Sequence, residues 1–181
     1  MTDARDEIGR QLIGFLPNMR RFGYTLTRNQ DSADDLVQAA CEKALANVTG
    51  FTPGTKFDSW MFRIMRNLWI DQIRKGRTAG PAEDIETQVD LVGTDGEREA
   101  HARMDLSDVS RAIATLPDDQ REILLLVCGE DMSYKEVSEL LGIPIGTVMS
   151  RLARARKKLV EGDGINAGSR RSHREEDGHG S

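Results

Sequence analysis

Residues 147–160 carry five basic side chains and no acidic one, a pattern suited to binding a phosphate backbone. The basic residues are Arg151, Arg154, Arg156, Lys157 and Lys158. They share the segment with Val148, Leu152, Ala155 and Leu159, whose spacing predicts the buried stripe of a helix. Such a helix can place arginines in a DNA major groove, where guanidinium groups recognise guanine or contact phosphates.

The residues before this segment predict a tight turn between two helices. Ser133 and Glu136 form an S-x-x-E pattern, which is typical of a capping box at a helix start. Gly142 follows the apolar stripe of that helix, where a left-handed conformation costs glycine least. Pro144 lacks the N–H needed to continue the helix, and Thr147 is the expected cap of the next one. This arrangement matches a helix-turn-helix, whose second helix enters the major groove.

A helical hairpin without DNA-binding function would show part of the same pattern. Lysine and arginine favour helix C-termini because they interact well with the helix dipole, so basic last turns are common. The capping box, the turn bracketed by glycines and the one-sided charge of residues 147–160 together favour the DNA-binding interpretation.

The composition of the 181-residue chain limits the other classes of function. Its net charge of −5 is unfavourable for a protein that binds DNA tightly alone, so we expect a larger partner. No apolar run is long enough to insert in a membrane, and the polar N-terminus argues against a signal peptide, so we expect a cytoplasmic protein. Cys41 and Cys128 are expected to be buried, reduced thiols.

The N-terminal third of the chain predicts helices with apolar stripes. Residues 8–28 show helical spacing that is interrupted at Pro17, where one helix is expected to end or kink. Another helix is expected from Asp31 to Val48, capped by Asp31 or Ser32. Its outward face is acidic, and from the pattern alone this is simply a solvated surface. The face comprises Asp34, Asp35, Gln38 and Glu42.

A third helix, expected from Asp58 or Ser59 to about Lys75, combines aromatic and basic residues. Trp60 and Trp69 fall on this helix, with Phe57 and Phe62 close by. Its polar face holds Arg63, Arg66, Asn67 and Arg74 at three- and four-residue spacing. Aromatic and basic side chains together can stack on unpaired bases while holding the phosphate backbone. A hydrophobic core with a solvated basic face explains the pattern equally well, and both interpretations stay open.

Together, these segments predict an all-α protein with two small helical domains. Residues 8–76 form the first predicted domain and residues 105–160 the second. Between them, residues 77–104 hold three basic and seven acidic residues and predict a flexible acidic linker. Residues 161–181 are rich in Gly, Ser, Arg and Glu and predict a disordered tail.

Four segments, in this order, closely resemble bacterial sigma-70-type factors of the extracytoplasmic-function (ECF) group. They are DSADDLVQ (31–38), FDSWMFRIMRNLWIDQIRK (57–75), LPDDQREILLL (116–126) and SYKEVSELLGIPIGTVMSRLARARKKL (133–159). The resemblance covers nearly all of residues 8–160. It implies a dissociable subunit that directs core RNA polymerase to promoters, with a sigma-2 and a sigma-4 domain. It also implies no enzyme activity, no metal and no cofactor, in agreement with the lack of any catalytic or metal-binding set in the sequence.

In the family, the segment that matches residues 57–75 melts the −10 promoter element. The resemblance therefore implies that Trp60 and Asn67 act at the melting point. It implies phosphate contacts for Arg63, Arg66, Arg74 and Lys75. The loop 51–56 would form the pocket for an extruded base, whose unstacking costs roughly a few kcal/mol.

The resemblance also implies −35 contacts and protein partners. The −35 contacts would be Thr147, Ser150, Arg151, Arg154 and Lys157. Met149 and Ala153 depart from many relatives, which leaves the −35 sequence open. The polymerase β′ coiled coil would bind Asp34, Asp35, Leu36 and Gln38, and the β flap is a further expected contact. An anti-sigma factor is also expected.

Two other classes of protein would share these helices. A stand-alone helix-turn-helix regulator predicts a dimerisation segment and tight DNA binding without polymerase, and neither follows from the sequence. A helical scaffold that binds only proteins predicts that Trp60 and Asn67 are dispensable for promoter opening.

Overall fold

The computed structural model describes residues 3–79 and 109–171, and every regular element in these ranges is a helix. The all-α prediction is therefore confirmed for this part of the chain. Its α-helices are α1 (Ala4–Thr27), α2 (Gln30–Ala46), α3 (Phe57–Ala79), α4 (Asp118–Leu124), α5 (Tyr134–Leu141) and α6 (Ile145–Arg171). Within the same ranges, no helix is apolar over a length that could cross a lipid bilayer. The predicted linker residues 80–104 lie outside the described ranges.

Helices α1, α2 and α3 pack together as the N-terminal domain. The rings of Phe22 on α1 and Phe62 on α3 lie 4.7 Å apart, and both side chains are fully buried. Leu36 of α2 and Met65 of α3 complete the centre of this core. Gly23 lets α1 approach α2 closely, because a Cβ there would lie only 3.3 Å from the Ala33 carbonyl oxygen. The apolar stripes predicted from the sequence thus form the core.

Helix α1 continues through Pro17, where the sequence predicts an end or a kink. The predicted end is therefore wrong, and the kink stays a prediction. Proline removes the hydrogen bond to the carbonyl of Ile13, but Ile13 is largely exposed, so water can satisfy that carbonyl. Buried Leu12 and Met19 hold the turns on either side. The start of α2 also differs from expectation. Its cap is Asn29, whose side-chain oxygen accepts from the Ser32 N–H at 2.9 Å.

The C-terminal domain contains helical residues 109–114, α4, a π-helical turn (Leu125–Gly129), α5 and α6. The predicted capping box is present, with Ser133 and Glu136 each accepting from the other's backbone N–H. Gly142 ends α5 with a φ of 65°, as expected. Thr147 is not the cap of α6. The carbonyl of Pro144 already accepts from the Val148 N–H at 3.2 Å, so Thr147 lies inside the first turn.

Two further expectations about the C-terminal half are wrong. Helix α6 extends to Arg171, whereas residues 161–181 were expected to be disordered. Adding residues to an existing helix requires no new nucleation, so modest propensity suffices to continue it. Residues 172–181 lie outside the described ranges. Cys128 is exposed rather than buried, whereas Cys41 is half-buried and its pKa is raised mainly by burial.

We expect Gly142→Ala to lower the free energy of unfolding by about 1–2 kcal/mol, because an alanine is strained in the left-handed conformation. No atom lies within 4 Å of a Cβ built at this position, so backbone strain is the cause of the loss. The matched control is Gly146→Ala, which also has open space around its Cβ but lies within α6. The control should be neutral or stabilising in urea unfolding followed by circular dichroism. Equal losses in both variants would contradict the assignment.

Candidate nucleic-acid and polymerase interfaces

The aromatic residues at the start of α3 divide between the core and an edge of the domain. Phe62 is buried against α1, which fits the core interpretation. Trp60 is only half-buried, and its ring lies 5.1 Å from that of Phe51 and 5.9 Å from that of Phe57. The loop 51–56 therefore lies beside Trp60. This arrangement brings the loop that is expected to form the base pocket next to Trp60, one of the two residues expected at the melting point.

The polar face of α3 is exposed along most of its length. Arg63, Asn67, Arg74 and Lys75 are exposed. Arg66 differs from this group. Its Nε atom lies 3.0 Å from Oε1 of Glu122 in the C-terminal domain, and its side chain is only 26% exposed. Most of the −10 candidates are thus exposed, but Arg66 is occupied by a carboxylate.

Glu122 is a buried carboxylate that sequence analysis did not identify. Burial raises its pKa, and the acidic neighbour Asp118 acts in the same direction. Arg66 and Arg151 oppose the rise through their positive charges but do not overcome the effect of burial. The family motif LPDDQREILLL contains this residue, but its spacing gives no indication of a partner 56 residues away.

Helix α6 presents the expected −35 residues on one side. Buried Val148, Leu152 and Ala155 attach the helix to its domain. The opposite side exposes Ser150, Arg154 and Lys157, while Thr147 is half-buried. Arg151 is partly covered, and its Nε atom lies 3.2 Å from the Asp119 carboxylate. A basic helix face with hydroxyl groups has the hydrogen-bond donors needed to contact phosphates and base edges.

The acidic face of α2 is present, with one correction. Asp34, Asp35 and Gln38 are exposed, and Asp34 lies 3.7 Å from Arg20 of α1. Leu36 is fully buried in the core and cannot contact a partner directly. It belongs to the apolar stripe of α2, and its packing fixes which residues α2 turns outward.

Comparison with known proteins identifies both halves of the chain. Residues 14–78 match the family model of sigma-70 region 2, and residues 106–159 match that of sigma-70 region 4. The ECF RNA polymerase sigma factor EcfG of Rhodopseudomonas palustris is 37% identical over 160 residues, which cover 88% of this chain and 84% of that protein. The chain belongs to the ECF sigma factors. It is therefore an RNA polymerase sigma factor, as the sequence resemblance implied.

Two further relatives agree with the identification of this sigma factor. The ECF RNA polymerase sigma factor SigW of Bacillus subtilis is 31% identical over 150 residues, covering 75% of this chain and 78% of SigW. A solved structure of the sigma factor RpoE in complex with the anti-sigma factor NepR, from Bartonella quintana, is 32% identical with a TM-score of 0.70. The match covers 88% of this chain and 98% of RpoE.

The raised pKa of Glu122 predicts a specific dependence of the sigma factor's stability on pH. Between the ordinary pKa of a glutamate and the raised value, the folded chain binds more protons than the unfolded chain. The contribution of Glu122 to the free energy of unfolding therefore falls as pH rises between these two pKa values. The glutamine in Glu122→Gln does not titrate. The free energy of unfolding of this variant relative to wild type should therefore increase as pH rises between the two pKa values. Urea unfolding across a series of pH values measures the difference.

The control is Glu136→Gln, for which the opposite sign is expected. The Lys56 ammonium and the Ser133 backbone N–H lower the pKa of Glu136, so its contribution is present above the ordinary pKa and is lost on acidification. The stability of Glu136→Gln relative to wild type should therefore decrease as pH rises. The same trend in both variants would contradict the assignment of the two carboxylates.

Proposed function

We propose that the N-terminal domain melts the −10 element and that α3 supplies the contacts. Trp60 and Asn67 act where the strands separate, and the loop 51–56 beside Trp60 holds the extruded base. Arg63, Arg66, Arg74 and Lys75 hold the phosphates of the separated strand. The exposed polar face of α3 supports this proposal, because it begins at the half-buried Trp60 and continues along the helix. A stacked base and a backbone contact are thereby available on one surface.

We propose that the C-terminal domain reads the −35 element through α6. Ser150, Arg154 and Lys157 are exposed on the second helix of the helix-turn-helix, with Thr147 and Arg151 partly covered beside them. Arginine is the side chain best suited to bidentate recognition of guanine, so Arg154 is the principal candidate for a base contact. Arg151 reaches DNA after exchanging Asp119 for a phosphate.

We propose that the exposed face of α2 binds the β′ coiled coil of core polymerase through Asp34, Asp35 and Gln38. The β flap is proposed to contact the C-terminal domain. We also propose an anti-sigma factor as a regulator, supported by the similarity to RpoE of Bartonella quintana, which was solved with NepR. The site of action is the cytoplasm, where polymerase and promoter DNA are present.

One observation carries the proposal: a single chain presents exposed basic residues on two separate helices, α3 and α6, and an exposed acidic surface on a third, α2. A regulator that binds DNA alone requires only the helix-turn-helix. The decisive experiment is run-off transcription from a promoter library with purified core polymerase, compared with DNA binding by the chain alone. Promoter-specific transcripts with core, and weak binding without it, are expected. Tight duplex binding without core and no transcripts would contradict the proposal.

Asp35→Lys should reduce affinity for core polymerase at least tenfold, about 1.4 kcal/mol, because it reverses a charge on the proposed docking face. The measurement is a titration of labelled sigma factor with core enzyme. The matched comparison is Arg63→Ala on α3, which should retain core binding but reduce promoter opening. If the two variants lost core binding equally, the assignment of α2 and α3 to different partners would be wrong.

Arg154→Ala should cost about 1–3 kcal/mol in promoter binding by the holoenzyme and relax specificity at one −35 position. Lys158→Ala is the matched control, since it removes an exposed positive charge from the same helix. It should weaken binding slightly and equally for all sequences. Promoter-library selections with the two holoenzymes measure the difference. An unchanged −35 preference in Arg154→Ala would exclude this residue from base recognition.

A further inference from the structure

Helix α6 carries apolar side chains on an exposed side of its first turns, although the solvent side of a helix is usually polar. Met149 is 52% exposed and Ile145 is 44% exposed. Ala153, one turn further along, is also exposed. Residues four positions apart are neighbours on a helix surface, so these three side chains form one apolar ridge. Exposed apolar residues are normal when they are scattered, but these three follow one another at regular spacing.

The apolar ridge borders the surface of α6 that is proposed to contact the −35 element. Successive residues lie about 100° apart around a helix. Met149 therefore lies between buried Val148 on one side and exposed Ser150 on the other. Lys157 continues the row of the ridge four residues after Ala153 and is exposed. Because Val148 is fully buried, α6 cannot turn the ridge into the core of its domain.

The ridge also occupies the part of α6 that is best placed to reach base edges. The first residues of the second helix in a helix-turn-helix are those that contact bases in the major groove. Helix α6 begins at Ile145, so Met149 stands in its second turn. In the major groove, thymine presents a 5-methyl group, which apolar side chains recognise by contact. Methionine is unbranched and flexible, so its side chain can follow the position of such a methyl group.

The polar neighbours of the ridge are suited to the other bases. The Ser150 hydroxyl donates to the Thr147 carbonyl at 3.1 Å, which leaves its oxygen to accept from an adenine or cytosine amino group. Arg154 is proposed to donate to guanine. Neither side chain offers an apolar surface for thymine, and Met149 does. One helix surface thus holds an acceptor, a donor and an apolar group.

We propose that Met149 is a specificity-determining residue that selects thymine in the −35 element by burying its 5-methyl group. Ile145 and Ala153 extend the apolar surface on either side of Met149. The occupant of the ridge is therefore a thymine base, on either strand of the −35 element. The inference rests on the proposed function, because it deepens the proposed recognition of the −35 element by α6.

The test compares holoenzymes on duplex promoter fragments that carry the −35 element selected from the promoter library. Each thymine of that element is replaced in turn by deoxyuridine, which differs only in lacking the methyl group. Binding is measured by fluorescence anisotropy as the ratio of the two dissociation constants. The wild-type holoenzyme should bind about fourfold more weakly at one position, as expected for loss of one buried methyl group. In Met149→Ala, the ratio at that position should fall close to one.

Three further variants separate an apolar contact from a general effect of substitution. Met149→Leu keeps an apolar side chain and should preserve the wild-type ratio. Met149→Gln has a similar length but is polar, and should lose the ratio as Met149→Ala does. Val160→Ala shortens another exposed apolar residue of α6, about three turns beyond Met149, and should behave as wild type. Circular dichroism of each variant establishes that its helices are intact.

The possible results distinguish failure of this inference from failure of the proposed function. A wild-type holoenzyme that is insensitive to every deoxyuridine would overturn the inference, as would a selected −35 element without an A·T pair. An unchanged ratio in Met149→Ala would also overturn it and would favour a protein partner for the ridge. Failure of the proposed function has a different signature. The wild-type holoenzyme would then bind promoters without any −35 preference, and Arg154→Ala would change nothing.

Discussion

The contact between Phe22 of α1 and Phe62 of α3 fixes the orientation on which the surfaces of this sigma factor depend. Both rings are fully buried, so neither helix can turn about its axis without opening the core. Arg21 precedes one of these residues and Arg66 lies one turn beyond the other. Both arginines consequently face the C-terminal domain and meet its carboxylates. The aromatic core thereby determines that Arg66, a proposed DNA contact, is covered.

Electrostatic pairing is a physical reason why an acidic chain can carry the surfaces proposed to bind DNA. Arg66 and Arg151, both assigned to promoter contacts, lie against Glu122 and Asp119. A cation that is partly removed from water needs a counter-charge, and a carboxylate and a phosphate are chemically similar acceptors. Exchange of one anion for the other changes the environment of the arginine little.

The features that could be predicted from the sequence are those fixed by local structure. The capping box of Ser133 and Glu136, the left-handed Gly142 and the apolar stripes depend on neighbouring residues, and each was predicted from spacing alone. The residue pattern indicated the basic candidates on α3 and α6, and the resemblance assigned their roles. The resemblance also included Leu36, which the apolar stripe of α2 places in the core. At this position, burial decides the role of the residue.

The features that could not be predicted depend on contacts between distant residues. Glu130 and Asn18 are 112 positions apart, and nothing in the pattern of either segment indicates that they meet. The helix end predicted at Pro17 is wrong for a related reason. The helix survives there because of tertiary packing on its buried side, which local propensity does not include.

The π-helical turn has a consequence for how related chains can diverge. A turn closed by an i to i−5 bond contains one residue more than an α-helical turn would need. Deletion of a single residue from 125–129 could preserve a continuous helix while rotating the downstream residues by about 100° around its axis. Glu130 would then point away from α1. Insertion or loss of one codon is thus one way in which related chains can gain or lose the contact between Glu130 and α1. No amino-acid replacement is needed.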